Sequence, residues 1–62
     1  MIFPGDRVKV QMGYGIVAYG NVTLINPKMG KRTIKVLFDD SDLAYDYYDE
    51  KELEVVDKEA GK

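Results

Sequence analysis

The sequence predicts an all-β domain, a five-stranded barrel with one short helical turn before the last strand. Three observations predict it. Apolar and polar residues alternate with period two over several short stretches, as half-buried strands require. Gly, Pro, Asn, Asp and Ser punctuate those stretches at intervals that suit turns. At 62 residues the chain has room for one core, and closing a single sheet on itself removes most of its exposed edges.

Gly5-Asp6 signals a turn, after which Arg7-Val8-Lys9-Val10-Gln11 alternates as a first strand. Gly13 and Gly15 bracket Tyr14 in a loop. From Ile16 to Ile25 the chain is rich in Val, Ile, Tyr and Thr, a long second strand that Gly20 interrupts where barrel strands bend. Asn26-Pro27-Lys28-Met29-Gly30 is a turn with Pro27 suited to its first central position. Lys31 to Phe38 resumes the alternation and pairs back on the second strand as an antiparallel hairpin, with Ile34, Val36 and Phe38 on one face and Thr33, Lys35 and Leu37 on the other. Asp39-Asp40-Ser41-Asp42 is a polar turn whose side chains can bond the backbone two residues on. Leu43 to Tyr48 is a fourth strand, in which Tyr45 and Tyr47 share one face and Tyr48 takes the other. Asp49 to Glu52 reads as one capped helical turn, Leu53 to Val56 as a short closing strand, and residues 58–62 as a frayed tail on a domain spanning residues 1–57.

This order of elements is that of an SH3-like barrel. Its expected core is Val8, Val10, Ile16, Val22, Leu24, Ile34, Val36, Leu43, Leu53 and Val55. Composition narrows the function. With no Cys and no His, disulfides are impossible and the usual zinc, haem and iron–sulfur ligand sets are missing. No apolar run reaches the roughly 18 residues of a membrane span, so the expectation is a soluble, cytoplasmic chain without cofactor or metal. The net charge of −2 hides an asymmetry: residues 1–38 carry six cations against Asp6 alone, and residues 39–62 ten acids against three lysines. An acidic rim of this kind attracts cationic ligands and repels phosphates.

Gly5-Asp6-Arg7-Val8-Lys9-Val10, Tyr19-Gly20-Asn21-Val22, Val36-Leu37-Phe38-Asp39-Asp40 and Glu52-Leu53-Glu54-Val55-Val56 together resemble Tudor-type domains, from Gly5 to Val56. The resemblance implies an aromatic cage for a methylated Lys or Arg side chain, at positions that fall on Met12, Tyr19, Phe38, Asp40 and Asp42. Tyr19, Phe38 and Asp40 match the cage in type. Met12 and Asp42 offer no π face, and Tyr14 and Tyr45 lie near enough in sequence to substitute. The physical basis of such a cage is cation–π attraction to ring faces within about 6 Å, with a carboxylate beside them. A structural reading stands next to it, in which Phe38 belongs to the core and Tyr19 covers one end of the barrel with its hydroxyl in water.

Tyr45, Tyr47 and Tyr48 among Asp42, Asp46, Asp49 and Glu50 read either as an interaction surface or as ordinary sheet-forming residues. Lys28, Lys31, Arg32 and Lys35 form a basic stretch; as phosphate contacts they resemble those of KOW-type barrels, although a sequence pI near 4.9 speaks against it. Phe3-Pro4-Gly5 resembles the opening of small barrel subunits in photosynthetic electron-transfer complexes, which act as docking subunits. Catalysis has little to draw on: Ser41 is the lone serine, with no imidazole to activate it. Calcium is disfavoured because a hand loop beginning at Asp39 would end on Glu50 but lacks the invariant mid-loop Gly. The expectation is therefore a non-catalytic module that receives a cationic protein segment, methylated or not, at a mouth formed by Tyr19, Phe38, Asp40, Asp42, Tyr45, Tyr47, Met12 and Tyr14. Nucleic-acid binding through residues 28–35 and an adaptor subunit of a larger assembly are the alternatives.

Overall fold

A computed structural model describes residues 2–26 and 33–57 of the chain. Five strands follow in order: β1 Arg7–Gly13, β2 Ile16–Ile25, β3 Ile34–Phe38, β4 Tyr45–Tyr48 and β5 Glu54–Asp57, with a 3₁₀ turn at Glu50–Glu52 before the last. All neighbours pair antiparallel in the order β4-β3-β2-β1-β5. The sheet is thus all-β as the alternation implies, but β4 and β5 are its two edges and no ladder joins them. The turn after β2 at Asn26-Pro27-Lys28-Met29-Gly30 and the tail at residues 58–62 lie at least in part outside the described residues.

One face of the sheet is apolar. Val8 and Val10 of β1, Ala18 and Val22 of β2, Ile34, Val36 and Phe38 of β3, and Tyr48 of β4 are buried, joined by Ile2 from the N-terminal segment. Among the described residues no second layer lies over this face, yet Val8 and Val36 are completely buried. The sheet must therefore curl over its own apolar side. Gly20 permits a close approach of β3: a Cβ there would stand 2.5 Å from the Leu37 carbonyl oxygen and 2.8 Å from Val36 Cγ1. Bulges at Gln11/Gly13 and Val22/Leu24 add local twist.

Three expected core residues are on the surface. Leu24 follows the bulge, where Thr23 is the extra residue, so the alternation that buries Val22 reverses and leaves Leu24 exposed and Ile25 half-buried. Ile16 keeps the parity of Ala18 but sits at the open end of β2, beyond the reach of the core. Leu43 belongs to a turn closed by its own N–H on the Asp40 carbonyl at 3.0 Å. The strand expected from Leu43 starts only at Tyr45, because Ala44 adopts a left-handed φ of 58°. Leu53 and Val55 pack against the core from the closing segment.

Asp6 anchors the N-terminal segment. Its carboxylate is fully buried and accepts the Phe3 N–H at 3.0 Å, while its carbonyl accepts the Val22 N–H at 2.9 Å and Gly5 donates to the Val22 carbonyl at 2.7 Å. The capped turn is also present: Glu52 reaches back so that its Oε1 accepts the Asp49 N–H at 2.8 Å.

Candidate functional site

The β1–β2 hairpin closes one end of the sheet. Gly13, Tyr14 and Gly15 all have positive φ there, and the two central residues of the hairpin, Tyr14 and Gly15, make it a primed two-residue turn. The adjoining bulge makes Met12 the extra residue of β1. Opposite the hairpin stands the turn from Asp39 to Leu43. Its shape comes from Asp40, whose Oδ1 accepts the Asp42 N–H at 2.9 Å two residues on.

Between hairpin and turn lies a cleft of about 470 Å³. Its lining is apolar at Met12, Ile16, Val17, Ala18 and Leu43, and Tyr19, Asp39 and Asp40 supply its polar edge. Ile16 and Leu43, misplaced in the expected core, thus become the apolar lining of a solvent-facing groove.

The rim is organised by one cation. The Arg7 guanidinium spans both carboxylate oxygens of Asp39, with Nη1 donating to Oδ1 at 2.9 Å and Nη2 to Oδ2, and Nη1 also reaches Asn21 Oδ1 at 3.2 Å. Its Cζ lies 6.0 Å from the centroid of the Tyr19 ring. The Arg7 hydrogen bonds hold the Asp39 carboxyl below the usual carboxylate range, and the same contact raises Arg7. Sheet register accounts for the grouping: Arg7 faces Asn21 across β1–β2, and the Asp39 N–H donates to the Tyr19 carbonyl at 2.9 Å.

Of the residues singled out from sequence, Met12, Tyr19 and Asp40 meet at this cleft. Phe38 does not line it. Gly20 pairs with Phe38, so Phe38 shares the inward face of Gly20 while Tyr19 points outward. The Phe38 ring packs edge-to-face on Tyr48 at 6.2 Å, as the structural reading of Phe38 has it. Tyr14 is fully exposed at the hairpin tip, and Asp42 is exposed in its turn. Tyr45 and Tyr47 form a separate cluster on the outer face, their rings 6.0 Å apart, with Lys35 Nζ 4.3 Å over Tyr45. The rings expected to form a cage are therefore spread over four places: the cleft, the core, the hairpin tip and the outer face. Lys28, Lys31 and Arg32 lie outside the described residues.

Arg7, Asp39, Ile16 and Leu43 were not expected at the site. Nothing local signals the Arg7–Asp39 pair, whose members are 32 residues apart. The run Gly13-Tyr14-Gly15 does mark the hairpin tip beside which Met12 and Ile16 emerge. A second cleft, of about 370 Å³, lies beside the 3₁₀ turn and is lined by Lys9, Gln11 and residues 51–54. Lys9 and Glu54 pair there at 3.4 Å, so its charges are largely balanced. Among the described residues no group of three acidic side chains is placed to hold a metal ion, and no helix is long and apolar enough to cross a membrane. Compared with protein-family models, curated proteins and solved structures, the chain matches none of them.

Proposed function

We propose that this chain is a non-catalytic, SH3-like binding module that receives a cationic, partly apolar protein segment in the cleft between the β1–β2 hairpin and the 39–43 turn. One observation carries the reading: the exposed apolar side chains of Met12, Ile16 and Leu43 line the same cleft as Asp40. Exposed apolar surface lowers the free energy of a partner that covers it. The adjacent carboxylate selects partners of positive charge and speeds their encounter.

A cage for methylated side chains has less support, since Tyr19 is the one ring at the rim and already faces Arg7. The five-strand order with a 3₁₀ turn before the last strand supports the SH3-like assignment.

The test is binding of short peptides that alternate Lys or Arg with Leu, measured at two salt concentrations. Asp40→Asn should weaken binding and flatten its salt dependence, because it removes a Coulomb contribution. Leu43→Ser should weaken it by about fivefold with the salt dependence intact, the effect of losing part of one leucine's burial. Equal affinity of both variants and the parent chain would remove the reading.

A second reading, an adaptor subunit of a larger assembly, draws on the outer face, where Leu24, Leu37 and Tyr45 are each about half exposed. Size-exclusion chromatography with the double variant Leu37→Ser, Tyr45→Ser separates the two: the cleft reading expects unchanged peptide binding.

A further inference from the structure

We infer that Tyr19, Asn21 and Asp39 form a receiving site for an unmethylated arginine side chain, filled in cis by Arg7. The inference builds on the cleft reading above, since the incoming arginine belongs to the segment docked there. Three features that bind a guanidinium are gathered around one point. The Asp39 carboxylate takes the fork through both oxygens, the Asn21 amide oxygen takes a further N–H at 3.2 Å, and the Tyr19 ring stands 6.0 Å from Cζ. A planar guanidinium satisfies all three at once, and a lysine ammonium, a point charge with no fork, cannot.

The site is continuous with the cleft. Tyr19 and Asp39 are both cleft-rim residues and both partners of Arg7. A segment lying on Ile16 and Leu43 therefore passes beside a place already shaped for arginine. Exchange is feasible because the resident pair is open to water, with side-chain exposures of 35% for Arg7 and 51% for Asp39. Exposed pairs contribute little net stability, so an incoming arginine replaces a weak contact with an equivalent one. Arg7 keeps the fork occupied when no partner is present, and by competing in cis it lowers the affinity for stray cations.

The chemistry differs from that of an aromatic cage. Dimethylation removes N–H groups that the fork to Asp39 and the bond to Asn21 use, so methylated arginine binds less well here than the unmodified side chain.

The test compares the parent chain with Arg7→Ala, titrated with N-acetyl-arginine methylamide, its lysine counterpart and its dimethyl-arginine counterpart, with amide shifts as the readout. Arg7→Ala should bind the arginine compound about threefold more tightly than the parent chain, because the weak competitor in cis is gone. Shifts should centre on Tyr19, Asn21 and Asp39, and the lysine and dimethyl-arginine compounds should bind several-fold more weakly. Equal binding of the arginine and lysine compounds by Arg7→Ala, or shifts centred elsewhere, overturns the inference. Should Arg7→Ala fail to fold, the parent chain at high concentrations of the arginine compound supplies the same readout at Asn21 and Asp39. The two readings fail separately. Weakened peptide binding in Leu43→Ser without loss of the small-compound site upholds both; peptide binding that leaves Asn21 unshifted removes the arginine site alone.

Discussion

Gly20 of β2 pairs with Phe38 of β3, and the atoms around it leave no room for a methyl group. Leu37 O, Val36 Cγ1 and Phe38 Cα would all lie within 3.0 Å of an added Cβ. Two of these are backbone atoms, which cannot swing aside. Gly20→Ala should therefore destabilise the chain by about 1–3 kcal/mol, the usual cost of overfilling a packed site, and lower the thermal midpoint by roughly 5 °C or more. Calorimetry checks it, and an unchanged midpoint would mean that the sheet is less tightly curled at this point. Arg7 and Asp39 show the opposite kind of residue, exposed and replaceable, whose value lies in geometry rather than in stability. Tyr14 is a third case. It takes a left-handed φ of 54°, where Asn or Gly is at ease, and places a fully exposed ring at the hairpin tip.

At the scale of elements, the edge strand β4 carries its own protection. The Phe38 N–H donates to the Ala44 carbonyl at 2.9 Å, which makes Val36–Asp46 and Ile34–Tyr48 the hydrogen-bonded pairs and turns the N–H groups of Tyr45 and Tyr47 outward. The Asp46 carboxylate accepts the Tyr47 N–H at 2.8 Å and places a charge on that edge. Both features discourage pairing with a foreign strand. Asp46→Ala should therefore shift the chain toward larger species with rising concentration in sedimentation, and Asp46→Asn, which keeps the acceptor, should shift it less. A profile unchanged in Asp46→Ala would contradict the protective role. The elements themselves were largely legible: β2 has the bounds that its residues imply, the Asx turn at Asp40–Asp42 follows from side-chain chemistry, and the capped turn at Asp49–Glu52 follows from its end residues. What was illegible is where the alternation breaks. No residue announces the bulge at Thr23, and Ala44 is a poor advertisement for a left-handed backbone.

At the scale of the whole molecule, the apolar face of a single small sheet is buried by curling, and a cleft lies between the β1–β2 hairpin and the 39–43 turn. Met12, Tyr19 and Asp40 follow from the Tudor resemblance of the sequence, whose cage positions fall on them, although Met12 departs from its pattern. Phe38 belongs instead to the core, since its pairing with Gly20 sets it on the inward face. Ile16 and Leu43 looked like core residues because apolarity alone does not tell a closed core from an open one. Net charge also misleads at this scale: the acids of the second half do not form one field over the cleft, because Arg7 occupies Asp39 and leaves Asp40 as the rim carboxylate. The most direct measurement is a backbone-amide shift map of the isotope-labelled chain during titration with an alternating Arg–Leu peptide. The account predicts saturable shifts at Met12, Ile16, Tyr19, Asp40 and Leu43, with Lys35, Tyr45 and Tyr47 unmoved. Shifts confined to the Lys35–Tyr45–Tyr47 face, or none at peptide excess, would contradict it.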